Sequence, residues 1–354
     1  MTNVDYIVAG QGIAGSAVAI QLIRTGKSVA VFDNPASNNS SRIAAGLFNP
    51  ITGKKMVKTW LADTLFPYLR EFYRSIESET GERFLHELPL YRPFLSIEEQ
   101  NEWMIRSEEP AYRNYIERVY AREVWPQVRN PYGGLLLKNC GYIDTTRYIR
   151  AAGMIIRRHT RLIQEQMDFE DIVIDVDFIR YRDIRAGGLI ICSGTHVNKW
   201  FGWLPIRALK GETLSIRNNF SEKIVVNRGV YMVPAFDSNS WRVGSTYNFQ
   251  DRAEGPTAEG RKELEEKAAE LFLEPFDVTD HQWGFRPTTP DRRPIIGSHP
   301  THKNIFVFNG LGTKGISLAP YFSEVLVRWL ENKGSLQKEV DIERFKSLYW
   351  GSPE

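Results

Sequence analysis

The sequence predicts an α/β (α+β) fold of two domains, with a parallel sheet built from both ends of the chain and an antiparallel or mixed sheet with helices between them. Three observations carry this. A strand, a Gly-x-Gly-x-x-Gly turn and a small-residue helix open the chain at residues 5–25. A second strand, Gly-x-Gly-x-x-Gly turn and helix close it at 304–330. Between them, residues 213–247 fall into short apolar runs separated by turn residues, as antiparallel strands do.

The opening unit has every part that dinucleotide binding needs. Asp5 to Ala9 is an apolar strand, Ile13 to Thr25 a helix stopped by Gly26, and Ser28 to Asp33 a second strand ending in a carboxylate. Gly10 permits the tight turn, Gly12 lets backbone approach a pyrophosphate, and Gly15 lets the helix pack closely on the sheet. Ile13 and Ala14 then sit at the helix N-terminus, whose amides face the anion. Asp33, about 20 residues on, stands where a ribose hydroxyl is held, with Asn34 beside it. The unit is Rossmann-like; the alternative is a tight glycine turn without a ligand.

The closing unit is incomplete. Asn304 to Asn309 is a strand, Gly310 to Gly315 the loop and Ile316 to Leu330 a long helix, but no strand with a terminal acid follows. A second independent dinucleotide site is therefore not expected. The loop amides can instead meet another electron-rich part of the same cofactor, with Lys314 adding positive charge. The alternative is a glycine turn packed into the sheet.

The elements between follow in order. Asn34 to Ser41 is a polar loop and Arg42 to Thr52 a small, apolar connection. Residues 57–128 carry Leu61, Leu65, Tyr68, Leu69, Phe72 and Tyr73 at helical spacing, which predicts an insertion built mostly of helices. Asn130 to Gly134 breaks it, Leu135 to Lys138 reads as strand, and Asp144 offers an N-cap for a helix through about Ile156. Asp171 to Arg182 alternates like a strand pair, and Gly188 to Cys192 is a buried strand returning to the first sheet before Ser193 and Gly194. Strands are expected around Leu214, Ile224 to Val226, Tyr231 to Val233 and Trp241 to Val243. Thr257 to Phe272 is an amphipathic helix with a solvated charged face.

Composition excludes more than it assigns. With 45 Lys and Arg against 43 acids in 354 residues, the net charge of +2 exerts no general pull toward nucleic acid or membrane. Cys140 and Cys192 lack metal-ligand or redox-pair spacing and do not suggest a secreted disulfide scaffold, so a cytoplasmic location is expected. The opening apolar stretch carries Asp5 and lacks a basic leader, so it reads as a strand rather than a signal peptide. No run of about 18 apolar residues marks a membrane span. His299 and His302 lack an acidic third ligand and read as surface polar residues rather than a metal site. Arg147, Arg150, Arg157, Arg158 and Arg161 form a basic run, read as a solvated face, with RNA contact as the alternative.

In matching order along the chain, these segments resemble the FAD-dependent amine oxidoreductases of the D-amino acid oxidase superfamily, in its glycine oxidase and sarcosine oxidase branch. The segments are the first glycine loop with Asp33, Ser40 to Gly46 (SSRIAAG), Gly141 to Asp144, Leu189 to Gly194, Leu209 to Glu212, Val230 to Pro234, Trp283 to Gly297 and Asn309 to Pro320. The resemblance implies an FAD-binding domain of the glutathione-reductase type from residues 1–62, 141–215 and 285–354. Residues 63–140 and 216–284 would form the substrate domain. Asp33 would bind the adenosine ribose, Ser40, Ser41, Arg42, Ala45, Gly46 and Leu47 would lie along the pyrophosphate and flavin, and Gly194 would belong to the same site. Gly312, Thr313, Lys314 and Gly315 would meet the pyrimidine edge of the flavin, where reduction develops negative charge.

The implied reaction oxidises the C–N bond of an amino acid or secondary amine, by hydride transfer from Cα–H to flavin N5, and the imine then hydrolyses. Arg286 would hold the substrate carboxylate as a bidentate pair; its alternative is a structural ion pair with Asp291. Tyr231 would line the pocket, its alternative being plain core, and Lys314 would contact flavin or substrate. The family pattern has an arginine near the Lys314 position, so a second carboxylate contact there is in doubt. Neither cysteine nor histidine stands where covalent attachment would be expected, so FAD is expected to be noncovalent. Ala44 to Pro50 and the Gly-Thr-Lys-Gly loop also resemble the FAD domain of a tRNA wobble-uridine-modifying enzyme, which makes a glycine-like side chain on tRNA an alternative substrate. A non-catalytic FAD-binding protein is the alternative of a different class.

Overall fold

The computed structural model describes residues 1–34, 40–53, 55–196, 199–235 and 239–350. Most of the loop expected at Asn34 to Ser41 lies outside them. The first sheet has five parallel strands in the order Arg161–Ile163, Val29–Phe32, Thr2–Ala9, Ile184–Ile191 and Ile305–Asn309. Residues Ile7, Val8, Val29 to Val31 and Leu189 to Ile191 have no solvent exposure, as strands covered on both faces require. The strand pair read at Asp171 to Arg182 is present as Val173–Ile174 and Ile179–Tyr181, an antiparallel meander running into Ile184–Ile191.

Three helices cover one face of this sheet. Ile13–Arg24 packs on Gly315–Leu330 and on Thr145–His159. The last begins where the sequence places its cap, with Asp144 Oδ1 accepting from the Arg147 amide at 3.0 Å. Ala62–Thr80 packs on the same group through Leu65, Leu69, Phe72 and Tyr73, all buried, and the Tyr73 hydroxyl donates to the Ile316 carbonyl at 2.9 Å.

The second sheet has eight strands, in the order Asp277–Thr288, Arg207–Arg217, Ser240–Gly244, Val230–Pro234, Val225–Arg228, Leu90–Pro93, Gly134–Leu137 and Ile116–Tyr120. All neighbours are antiparallel except Val225–Arg228 with Leu90–Pro93. The boundary expected at residue 215 falls inside Arg207–Arg217, whose whole length belongs to this sheet. The insertion at 57–128 is only partly helical: beside Ala62–Thr80 and Ile97–Arg106 it supplies Leu90–Pro93 and Ile116–Tyr120 to the second sheet. Local periodicity is strong in the helix and weak in four- and five-residue strands, whose pairing comes from distant segments.

His299 is a correction. It is 3% exposed rather than a surface residue, stacks on His302, and its Nδ1 accepts from the His302 amide at 3.2 Å. Among the described residues no His, Cys, Asp and Glu group is arranged to hold a metal. Burial pushes the His299 imidazole down to about 4, with repulsion from His302 adding to it. The unfolded imidazole binds its proton near 6.5 and the folded one near 4, so between those values the unfolded chain holds more protons. Stability contributed by neutral His299 is present above 6.5 and is lost as pH falls toward 4. His299→Asn, which keeps an acceptor, is expected to flatten this part of the curve in urea unfolding; identical pH slopes in both proteins would refute the assignment.

Candidate cofactor and substrate site

The nucleotide end is built from close backbone approaches. Gly10 has φ +103°, and a Cβ on Gly15 would lie 1.7 Å from the Gly10 carbonyl oxygen. The Gln11 amide donates to Asp33 Oδ1 at 2.9 Å, which sets the carboxylate beside the glycine turn. Ser41 Oγ accepts from the Ile13 amide at 3.1 Å, and a Cβ on Gly12 would come within 2.8 Å of the same oxygen. Arg42 Nη2 lies 3.5 Å from Asp33 Oδ2.

The C-terminal loop reaches the same space. Gly315 packs against Ile13, the Gly312 amide donates to the Pro287 carbonyl at 2.8 Å, and Leu311 bridges to Thr288. Helix Gly315–Leu330 therefore starts beside helix Ile13–Arg24, and its first residues line the same cavity as both loops. Lys314 Nζ donates to Thr52 Oγ1 at 3.3 Å and Thr59 Oγ1 at 3.4 Å. Burial pushes its ammonium down to about 8, with Arg293 and Arg292 repelling it further. Gly46 has φ +69° and lies against the Ile143 carbonyl, where a Cβ would come within 1.8 Å. The Gly194 carbonyl accepts from Asn309 Nδ2 at 2.7 Å, which joins the ends of two parallel strands.

Arg286 projects from Asp277–Thr288 across Gly211 of the neighbouring strand, where a Cβ would come within 2.0 Å of its guanidinium. It donates to the Thr246 carbonyl at 3.3 Å and lies 5.2 Å from the centroid of the Tyr247 ring. The ion pair with Asp291 does not form: Asp291 pairs with Arg344 at 3.0 Å. Among the described residues no carboxylate lies within salt-bridge distance of Arg286. Tyr231 lines the same cavity, opposite Gly244, where a Cβ would come within 2.5 Å of its hydroxyl. Burial raises the Tyr231 phenol, so it is protonated at neutral pH.

Three contributors were not read from the sequence. Gly211 and Gly244 make room for Arg286 and Tyr231, a role visible only once strand register is known. Arg242 donates from the second sheet to the carbonyls of Ile43, at 3.2 Å, and Ala44, at 3.0 Å, clamping the segment that leads into Gly46. Of the residues expected around the cofactor, Gly15 and Arg42 do not line the cavity: Gly15 supports the turn from behind, and Arg42 faces Asp33. The others do line it, with Arg286 and Tyr231.

The cavity has a volume of about 1680 Å³ and runs between Gly10 and Asp33, the second glycine loop and Arg286. That exceeds the range of about 300–1,000 Å³ for ordinary small-molecule pockets. Its residues fit an FAD molecule: a Cβ-free cradle and helix N-terminus for the diphosphate, a carboxylate for a ribose, and a second helix N-terminus at the far end.

The sequence model of the family described as FAD dependent oxidoreductase matches residues 5–329, and the chain belongs to that family. It is an FAD-dependent oxidoreductase of the D-amino acid oxidase superfamily. It is 21% identical to the uncharacterized oxidoreductase YurR of Bacillus subtilis, over 96% of this chain and 97% of that one. It is 25% identical to the tRNA 5-methylaminomethyl-2-thiouridine biosynthesis bifunctional protein MnmC of Marinobacter nauticus, over 90% of this chain, and spans 54% of that relative's length. The crystal structure of glycine oxidase from Geobacillus kaustophilus superposes with a TM-score of 0.79 at 20% identity, covering 98% of both chains, which shows a shared fold.

Gly15→Ala is expected to lower the flavin retained per chain after gel filtration by at least about tenfold, because the added carbon meets backbone that cannot move aside. Gly334→Ala, where a Cβ meets only Arg328 Cβ at 3.8 Å, serves as the control. Equal flavin content in the two variants would remove the close approach as the reason for Gly15.

Proposed function

We propose that this enzyme oxidises the C–N bond of a carboxylated amine, an amino acid or secondary amine of the glycine, sarcosine or D-amino acid class. The observation that carries the reading is Arg286, half-buried in the cavity beside the second glycine loop and without a carboxylate partner among the described residues. A guanidinium so placed presents its fork to an incoming carboxylate, and the protonated Tyr231 phenol supplies a further donor. Holding the carboxylate fixes the substrate's Cα, so the reacting groups meet without a search over orientations. FAD, when bound, supplies the acceptor of the Cα hydride at its N5 position. The first glycine loop, Asp33, Ser40 and Ser41 hold its nucleotide half, and residues 312–315 with Lys314 hold the electron-rich edge of its ring. The imine product hydrolyses in water.

The FAD is held noncovalently. Cys192 lines the cavity beside Gly10, at the diphosphate end, and burial raises its thiol; Cys140 does not line the cavity. The order of the parallel strands, with the meander entering Ile184–Ile191, supports an FAD domain of the glutathione-reductase type. The substrate class is also that of a relative, the glycine oxidase of Bacillus subtilis, 24% identical over 93% of both chains. Both cysteines are free, which supports a cytoplasmic location, and no described helix is long and apolar enough to cross a membrane.

Arg286→Ala is expected to lower kcat/KM for carboxylated amines by about 100-fold or more, while flavin released by acid precipitation stays equal to wild type. Equal loss of flavin and activity contradicts the role of Arg286, and flavin that stays with the precipitate contradicts noncovalent binding. A glycine-like side chain on tRNA is the second reading, favoured by the tRNA-biosynthesis relative. Against it, Arg147, Arg150 and Arg161 of the basic run pair with Asp144, Glu82 and Asp183. A gel shift of tRNA that weakens with salt supports this second reading, and no shift at low salt sets it aside.

A further inference from the structure

A second buried guanidinium opens on the cavity, and the mechanism above does not use it. Arg92, on strand Leu90–Pro93, is 6% exposed and lines the cavity. Its Nη2 donates to the Gly53 carbonyl at 3.0 Å, and its Nε has no partner. Among the described residues no carboxylate lies within salt-bridge distance of it. The nearby acid, Glu99, is consumed by Arg228 in a two-pronged pair at 2.9 and 3.0 Å. Arg92, Arg228 and Glu99 together therefore leave one uncompensated positive charge behind the cavity wall.

A buried, unpaired guanidinium is costly, and burial with repulsion from Arg228 pushes Arg92 down to about 10, which still leaves it charged at neutral pH. The segment it grips is also held from the other side. Lys314 bonds Thr52 and Thr59, and the Arg293 guanidinium lies 4.0 Å over the Trp60 ring. Residues 51–53 and 59–60 thus carry cations on both flanks, and Thr52, Gly53, Thr59 and Trp60 line the cavity with Arg92.

We propose that Arg92 anchors a second anion subsite and that the amine oxidised here carries a second carboxylate besides the one Arg286 holds. One surplus positive charge matches a single carboxylate, and a guanidinium can meet both of its oxygens. The inference rests on the amine-oxidation reading of the cavity. It accounts for a cationic side chain in a wall that, for a glycine-sized substrate, would be expected to be neutral.

The test uses the FAD-loaded enzyme and two matched pairs. Diglycolate and methoxyacetate are redox-inert ethers with two and one carboxylates, and calorimetry gives their Kd ratio. Iminodiacetate and sarcosine are the corresponding amines, compared by kcat/KM. Wild type is expected to favour the dicarboxylate in both pairs by about 10- to 100-fold, the range for a hydrogen bond to a charged group. In Arg92→Met both ratios fall to within about twofold of unity, and in Arg92→Lys, which lacks the planar fork, they fall to an intermediate value. Arg92→Lys also carries the test if the methionine variant does not fold. Equal binding of the two ethers by wild type overturns the subsite, as do ratios unchanged in either variant. If no amine reduces the flavin but diglycolate is still preferred and Arg92→Met abolishes that preference, the subsite stands and the amine reading falls.

Discussion

A Cβ on Gly15 would lie 1.7 Å from the Gly10 carbonyl oxygen, and the cavity depends on that absent carbon. It lets helix Ile13–Arg24 settle on the ends of the parallel strands with Gly12, Ile13 and Ala14 at its N-terminus lining the cavity. Because the helix sits so close, its small residues Ala17, Val18 and Ala19 are fully buried, and helix Gly315–Leu330 packs beside it. The second helix, like the first, begins among residues that line the cavity. Two helix N-termini therefore meet one volume, and both favour negative charge.

The part of the cavity around Arg286 is held by contacts that reach from the second sheet to neighbouring segments. Arg242 reaches from the second sheet to two carbonyls of residues 43–44, each a charge-assisted bond of about 1.5–3 kcal/mol. The Gly312 amide bonds the Pro287 carbonyl, which ties the second glycine loop to the strand bearing Arg286. Lys210, 1% exposed, is pinned by Asp251 at 2.7 Å and the Ala253 carbonyl at 2.9 Å. That pair ties down the chain segment whose Thr246 carbonyl accepts from Arg286 and whose Tyr247 ring lies beside it.

The cavity wall carries charges of both signs. Asp33 is held beside the first glycine turn by the Gln11 amide and Arg42, while Arg286, Lys314, Arg293 and Arg92 line other parts of the wall, which Glu254 and Glu263 also line. The guanidinium and ammonium groups favour an anion beside them, and the Asp33 carboxylate is an acceptor for a hydroxyl. Partial burial strengthens both effects, since the local dielectric is below that of water.

The first glycine unit was fully legible because its strand, turn, helix and acid are contiguous, and the chemistry is mostly backbone chemistry. The Asp144 cap, the meander at 171–182 and the antiparallel run at 213–247 were legible for the same reason: each is a local pattern with a local cause. The sequence likewise shows that no strand with a terminal acid follows the closing glycine unit. Tertiary structure alone decided what the two units do together. Arg207–Arg217 joins the second sheet through pairing with a strand some 70 residues on, the buried state of His299 comes from its neighbours, and Gly211 and Gly244 matter only through the side chains opposite them. Arg92 read as one charge in a short apolar run, and nothing local distinguished it. Among the described residues it has no carboxylate partner, and Glu99 is paired with Arg228, far along the chain. Partners brought together across such separations leave no periodic trace in the sequence, whereas the glycines of the opening turn are required by contacts within the unit itself.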